Sequence, residues 1–531
     1  MENQVHQFQR RAMPALLAVL ISGLLATTSA SAAAPGKGWI TVGDTAYTHL
    51  QKVAPQAIAR QSQVVRTNDQ AGLVAAERVH LVQVNEEEML KLNESIHHEL
   101  KRCGGYMYHE TEAEGKRALA KLASPPSAAS LAALARPSYT IDNQALVTPV
   151  LSQMQASNIG TTITELSSFT NRFYTTTGGS DASNWLKQKW AGMATGRADI
   201  AVTQFTHSGY NQKSVILTIT GTDNPSEVIV LGGHLDSTVG SGTGETSRAP
   251  GADDDASGIA SMTEVLRSMI ANGYKPRRTI KMIGYAAEEV GLRGSQAIAQ
   301  NFKANNVNVV GVMQLDMTNY KGSANDIYIY TDYTDSAQNT FVANLITTYQ
   351  PTLTIGYDKC GYGCSDHASW TAQGYYASMP FETTMSQSNR YIHTVNDTFA
   401  NAGGQANHSL KFARLAASFA IELGSDGAAP PGGTDKTETF TGSLTSGQKK
   451  TFGPFKAAIG TVVSSTTGTG DTDLYVRKTS VPTTTSYTCK SDGSTSTENC
   501  TVNMTANGDV YVLLNGYTAS SYTLKVTYKP Q

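Results

Sequence analysis

A chain of 531 residues is too long for one ordinary domain, and 41 Lys and Arg against 43 Asp and Glu leave a formal charge of −2. That balance supplies no basic footprint for nucleic acid or for an anionic membrane surface, so neither is expected as a partner. Beyond the N-terminal segment no stretch approaches the apolar length of a membrane span.

The chain opens on Arg10 and Arg11, an apolar run over 12–26 and the small residues Ala30, Ser31 and Ala32. This is the pattern of a secretory signal peptide, 1–32, and its apolar run is too short for an anchor. A secreted protein with an oxidising destination is expected. Residues 33–136 differ in character: 79–84 reads as a strand, 86–102 as a charged helix, and 124–135, rich in Ala, Ser and Pro, as an exposed linker. A small α+β unit with a cleavable linker on the export side reads as a propeptide, with an ordinary accessory domain as the alternative. His97 and His98, on the charged helix, are expected to face solvent and receive no role. Cys103 also falls in this segment.

From 137 to 425 the pattern is strand, helix, strand. The β-branched run 228–231 ends in GGHLDS, 279–283 ends in GYAAEE and 309–315 ends in Asp316. Between the first two lies 256–271, where Ile259, Met262, Leu266 and Met269 recur at helical spacing before Gly273 and Pro276. Such a unit implies parallel strands joined by a right-handed crossover. The fold class is therefore α/β, with a mixed, largely parallel central sheet flanked by helices, and its ligands belong beyond the carboxyl ends of the strands. His234, Asp254, Glu288, Glu289, Asp316 and His393 all sit in motifs that close a strand or open a loop. Taken singly, each has a structural reading: a hydrogen-bonded strand-end histidine, a DDD turn that caps a helix, an acidic helix start. Taken together they compose a donor set for two zinc ions, since imidazole and carboxylate suit zinc and a pair of ions needs a shared carboxylate with further ligands for each. His234 and Asp236 lie two apart in extended chain, so the Asp236 carboxylate is expected to fix the imidazole tautomer. Glu288 and Glu289 point apart, which lets one ligate while the other acts as general base.

Five cysteines agree with export. Cys360 and Cys364 bracket the glycine-containing CGYGC, and Cys489 and Cys500 bracket a polar, hairpin-like loop, so two local disulfides are expected. The alternative for the first pair is a thiolate zinc site that would draw on the nearby His367, otherwise expected as a packed histidine. After the linker 426–436, rich in Gly and Pro, short alternating runs such as 510–514 and 522–526 lie among Thr, Ser and Gly, the pattern of a β-sandwich over 437–531. Asp471 and Asp473 there are read as turn residues, with calcium as the alternative.

The motifs GGHLDS, APGADDDASG, YAAEEVGLRGS, QLDMTNYKGS, CGYGCSDHASW and Ile392-His393-Thr394, with SFTNRFYTTT and HSGYNQKS, match in order and spacing the secreted bacterial leucyl aminopeptidases of the vibrio type. The chain resembles these dizinc exopeptidases from about 139 to 425. The resemblance implies that Asp254 bridges the metals, that Glu289 and His393 complete one site and His234 and Asp316 the other, and that Glu288 is the general base. It also implies a cis peptide between Asp254 and Asp255. Met317, Phe381 and Ile392, with the Cys360–Cys364 loop, match its apolar pocket for the first side chain of a peptide. Met385 and Ser388 stand where that family has bulkier aromatics, which implies a wider or more adaptable pocket. TFTGSLTSGQ, DTDLYV and YTLKVTY resemble the bacterial pre-peptidase C-terminal domain. The expected activity is removal of apolar, leucine-like residues from peptide N-termini by a monomer, with its own propeptide as inhibitor or folding aid. A related zinc enzyme of the same fold, a glutaminyl cyclase or carboxypeptidase, and an inactive binding module are the alternatives.

Overall fold

Fully buried β-branched runs fix the centre of the molecule. The computed structural model describes residues 36–68, 74–100, 104–123, 136–426, 436–458, 460–504 and 507–530. The signal peptide, Cys103, the linker 124–135 and residues 427–435 lie outside them.

Three groups of elements follow one another along the chain. The first comprises β1 (Lys37–Gly43), α1 (Asp44–Val53), β2 (Ala59–Asn68), β3 (Val74–Asn85), α2 (Glu86–Leu100), β4 (Tyr106–His109) and α3 (Glu112–Ala123), with a sheet ordered β2-β3-β1-β4. The helix start at Glu86 is set by a reciprocal cap: Glu88 N donates to Asn85 Oδ1 at 2.9 Å and Asn85 N to Glu88 Oε2 at 2.8 Å.

The second group carries an eight-stranded sheet. After helices α4 (Gln144–Ser152), α5 (Ala156–Ser167) and α6 (Thr177–Met193) come β5 (Ile200–Phe205), β6 (Ser214–Ile219), β7 (Asn224–His234), α7 (Ala256–Ala271), β8 (Arg278–Tyr285), α8 (Arg293–Ala304) and β9 (Asn308–Gln314). Then follow β10 (Ile327–Tyr330), α9 (Ser336–Tyr349), β11 (Ile355–Asp358), α10 (His367–Ala372), β12 (Ala377–Phe381) and α11 (Asn407–Ser425). The sheet order is β11-β10-β12-β9-β7-β8-β6-β5. β7 runs parallel to both β8 and β9, β12 is parallel to β9, and the β6–β8 and β5–β6 pairs are antiparallel, so the sheet is mixed with a parallel centre. Helices on both faces explain why β7 is apolar without alternation at Val228, Ile229, Val230 and Leu231. The register pairs His234 with Tyr285 of β8 and Gly232 with Gln314 of β9, so three neighbouring strands end at one rim. Helix α7 spans the expected residues and is buried around nearly its whole circumference. Its Gly258 is required by closeness: a Cβ there would meet the Leu315 carbonyl at 2.2 Å.

The third group comprises β13 (Lys436–Leu444), β14 (Lys449–Ala457), β15 (Gly460–Thr467), β16 (Thr472–Lys478), β17 (Cys489–Ser491), β18 (Glu498–Met504), β19 (Gly508–Gly516) and β20 (Ser520–Tyr528), in two four-stranded sheets ordered β13-β20-β15-β18 and β14-β19-β16-β17. Leu444, Leu474, Val476, Val502, Val512 and Leu524 come from both sheets and form one apolar core between them. Asp473 lies in β16 (Thr472–Lys478) rather than in a turn, and its Oδ2 accepts from Asn515 of the neighbouring strand at 2.9 Å. Among the described residues no helix is long and apolar enough to cross a membrane.

Candidate metal centre and active site

The rim where β7, β8 and β9 end gathers the imidazoles and carboxylates into one buried cluster. His234, Asp254, Glu288, Glu289 and Asp316 are each at most 4% exposed, and His393 is 8% exposed. Asp254 is central: its Oδ1 lies 2.8 Å from His234 Nε2 and its Oδ2 3.1 Å from His393 Nε2. Asp316 Oδ1 lies 3.8 Å from His234 Nε2, and Glu289 Oε2 lies 2.8 Å from His393 Nε2. Two groups of donors result, His234 with Asp254 and Asp316, and Asp254 with Glu289 and His393, and each could hold a metal ion.

Burial of four carboxylates against two imidazoles is costly without further positive charge. Glu288 is pushed well above the usual carboxylate range by burial and by Asp366, Asp316 and Glu289, against the pull of His234. Burial also raises Glu289 to about 7 and Asp316 to about 6. Despite burial, hydrogen bonds from His234 and His393 hold Asp254 well below its ordinary value. Glu288 Oε1, Glu289 Oε1 and Asp316 Oδ1 are buried with no hydrogen-bond partner among the described residues. Buried carboxylate oxygens left in this way beside imidazole nitrogens are the donors a divalent cation takes, so the residues present fit a metal pair.

Several supports were not legible in the sequence. His234 Nδ1 pairs with the Asp236 backbone carbonyl at 3.1 Å, which leaves Nε2 facing Asp254. The expected partner, the Asp236 carboxylate, is 3.5 Å from Nδ1 and also accepts the backbone N–H groups of Glu288 and Glu289 at 3.0 and 3.1 Å. Two strand ends are thereby tied together, and no spacing rule announces it. Asp255 accepts from the backbone of His234, Gly258 and Met317 at 2.9, 2.8 and 3.1 Å. Asp397 accepts from Asp253 N and Asp254 N, and Ser365 donates to Asp316 Oδ2 at 2.5 Å. The fully buried Arg172 donates to the Leu235, Pro250 and Gly251 carbonyls, on the two loops that carry Asp236 and Asp254. Ala287, Met317 and His393, beside or among the donors, hold φ of 55°, 58° and 53°, a left-handed backbone costing on the order of 1 kcal/mol or more each. The peptide between Asp254 and Asp255 is cis.

Next to Asp316, the residues Met317, Tyr328, Tyr330, Cys360, Cys364, Met379, Phe381 and Ile392 pack into one apolar cluster, and Cys360 and Cys364 are joined with their Cα atoms 5.9 Å apart. Cys489 and Cys500 are joined as well. A cavity of about 10 Å³ opens among Met317, Cys364, Phe381, Met385 and Ser388. Met385, partly buried, packs against this cluster, and with Ser388 it lines the cavity.

The first group of elements lies against this rim. Asn93 of α2 donates to the Glu289 carbonyl, and the rings of His97 and His393 lie 4.9 Å apart. Tyr108 N donates to the Gly291 carbonyl and Gly105 N to the Gly363 carbonyl, both at 3.0 Å, and the Thr41 and Tyr362 hydroxyls are 2.8 Å apart. Tyr174 donates to Glu86, and Ser241 to Glu94. His97 is thus 2% exposed, contrary to its expected position in solvent, while His98 does face out. The charged composition of α2 concealed this, because its buried face meets residues distant in sequence rather than its own sheet alone.

Residues 214–419 match the model of peptidase family M28. A leucine aminopeptidase 1 of Arthroderma otae is 34% identical over 310 residues, which are 55% of this chain and 81% of that relative. The chain belongs to peptidase family M28. A leucine aminopeptidase 1 of Aspergillus niger is 35% identical to this M28 peptidase over 300 residues, 54% of the chain and 74% of the relative. The crystal structure of the Legionella pneumophila LapA aminopeptidase superposes with a TM-score of 0.61 at 31% identity, over 74% of the M28 peptidase and all of that chain. By these likenesses the M28 peptidase is an aminopeptidase hydrolase with the mixed α/β fold of its relatives.

Proposed function

We propose that this M28 peptidase is a secreted, zinc-dependent leucine-type aminopeptidase, made as a precursor whose N-terminal unit covers the site. The observation that carries the metal assignment is the position of Asp254, one oxygen toward each of two buried histidines, with a further carboxylate beside each. Asp254 would bridge two zinc ions, with His234 and Asp316 on one and Glu289 and His393 on the other. Such ions, when bound, supply Lewis-acid polarisation of the scissile carbonyl and activation of a water. Glu288, left free by the other donors and raised in proton affinity by its burial, takes the proton of the attacking water and passes it to the leaving amine. Asp236 holds Glu288 and Glu289 in place through their N–H groups.

Preference follows from the surroundings. The cluster of Met317, Phe381, Ile392 and the Cys360–Cys364 loop favours an apolar first side chain, and the carboxylate-rich centre favours the free α-ammonium of a peptide N-terminus. Export is supported by the signal-peptide pattern at 1–32 and by the two disulfides. The inhibitory role of the N-terminal unit is supported by the contacts of Asn93, His97, Gly105 and Tyr108 with the loops around the donors. We take the working unit as a monomer, with peptides as its partners.

Hydrolysis of leucine anilide beside its N-acetylated form tests the reading. The free amine should be cleaved efficiently and the acetylated form almost not at all. Comparable rates on the two would exclude an aminopeptidase of this polarity.

A further inference from the structure

Beside the pocket, a second group of metal-type donors lies outside the carboxylate centre. Cys360 Sγ, Cys364 Sγ and a ring nitrogen of His367 all lie within 4.8 Å of one another, and none of the three residues is more than 3% exposed. His367, at the start of α10, has no exposed surface, and neither ring nitrogen has a hydrogen-bond partner among the described residues. Buried imidazoles are normally paired, so two unpartnered nitrogens, one of them within 4.8 Å of both sulfurs, ask for an explanation. Burial pushes this imidazole down to about 3, which keeps it neutral and its lone pair available at ordinary pH. A tetrahedral ion with Zn–S near 2.3 Å and Zn–N near 2.0–2.1 Å puts ligand atoms about 3.5–3.8 Å apart, a spacing that three donors grouped within 4.8 Å can reach once the Sγ–Sγ bond is open.

We infer that Cys360, Cys364 and His367 form a reduction-gated site for a soft or borderline divalent cation such as zinc or cadmium, closed to metal while the disulfide is intact. A dithiol reductant breaks the Sγ–Sγ bond, gives up two electrons and two protons to the two sulfurs, and closes its own disulfide. Metal binding then displaces the two thiol protons, and His367 supplies the third ligand. The site is separate from the one proposed above, whose donors include no sulfur. Cys364 also lines the small cavity next to Asp316 and Met317, so a cation held here competes with closure of the disulfide that forms one wall of the pocket.

The full chain, carrying Cys103→Ser, Cys489→Ser and Cys500→Ser so that only two cysteines remain, is prepared once with a dithiol present throughout and once oxidised. Each is loaded with zinc and titrated with cadmium, and the thiolate-to-cadmium charge-transfer absorption is read, a band that carboxylate and imidazole ligands cannot give. One additional equivalent with this band is expected in the reduced protein and none in the oxidised protein. His367→Ala should weaken that binding by at least about tenfold with the thiol titre unchanged. Absence of the band in the reduced protein, or equal affinity in His367→Ala, overturns the inference. Should His367→Ala fail to fold, Cys360→Ser, which changes one atom, makes the same comparison, and an undiminished band there overturns it as well.

Discussion

Replacing Glu288 by Gln keeps the size of the side chain and removes its capacity to accept the proton of water. We expect Glu288→Gln to retain bound metal and to lose roughly two to four orders of magnitude in kcat, the range of a general base. Unchanged turnover in a metal-loaded variant would remove Glu288 from the mechanism. Asp254→Asn keeps the shape and loses the charge shared between the two donor groups, so metal content and kcat should fall together, and a variant with full metal and full rate would refute the bridge. Residues of this kind were legible because each closes a strand or opens a loop with an unusual donor, as His234 does in GGHLDS. Asp397 and Arg172 were not, and Asp255 was legible only as the cap of the helix that follows it, since they also hold backbone groups that lie far away in sequence. A hydrogen bond from Arg172 to the Pro250 carbonyl leaves no trace in composition or period.

His109 links β4 to β1 and, through Thr41, to the contact with Tyr362, since its Nε2 and the Tyr362 hydroxyl both meet Thr41 Oγ1 at 2.8 Å. Burial and Arg117 push this imidazole down to about 4. In the unfolded chain it titrates near 6.5, so at lower pH the unfolded chain takes a proton that the folded chain refuses. The stability it contributes is complete above about pH 6.5 and is lost as pH falls toward about 4, by up to about 3 kcal/mol. We expect the N-terminal unit to become susceptible to proteolysis over this window, and His109→Gln to flatten the dependence; an identical profile in the variant would assign the acid sensitivity elsewhere. Elements themselves were readable where period and punctuation agreed. Helix α7 begins and ends where its apolar spacing does, whereas β7 and β8 run beyond their β-branched centres because the ladder continues through Gly232, Gly233 and Gly284, which carry no side-chain signal. For α2, the helix and its acidic start were legible, but not the face that meets His393.

At the scale of the chain, the N-terminal unit touches the loops of Tyr174, Ser241, Glu289, Gly291, Gly363 and His393. Cleavage between 123 and 136 should therefore raise activity only as the unit departs, and the isolated unit added back should inhibit. Equal rates for intact and cleaved enzyme on a small anilide would leave it only a role in folding. The three-part organisation was readable from changes in composition, but which part faces which was not, because pairs such as Asn93 and Glu289 lie far apart in sequence and carry no periodicity. The tether has a further effect on this arrangement. While the chain is continuous, the covering unit is present at an effective concentration of the order of millimolar, whatever the concentration of the protein. On the proposed reading, once the chain is cut coverage would become an ordinary bimolecular equilibrium, and dilution below its Kd would open the enzyme. The same nick would thus leave the enzyme closed in a crowded compartment and release it in an open medium.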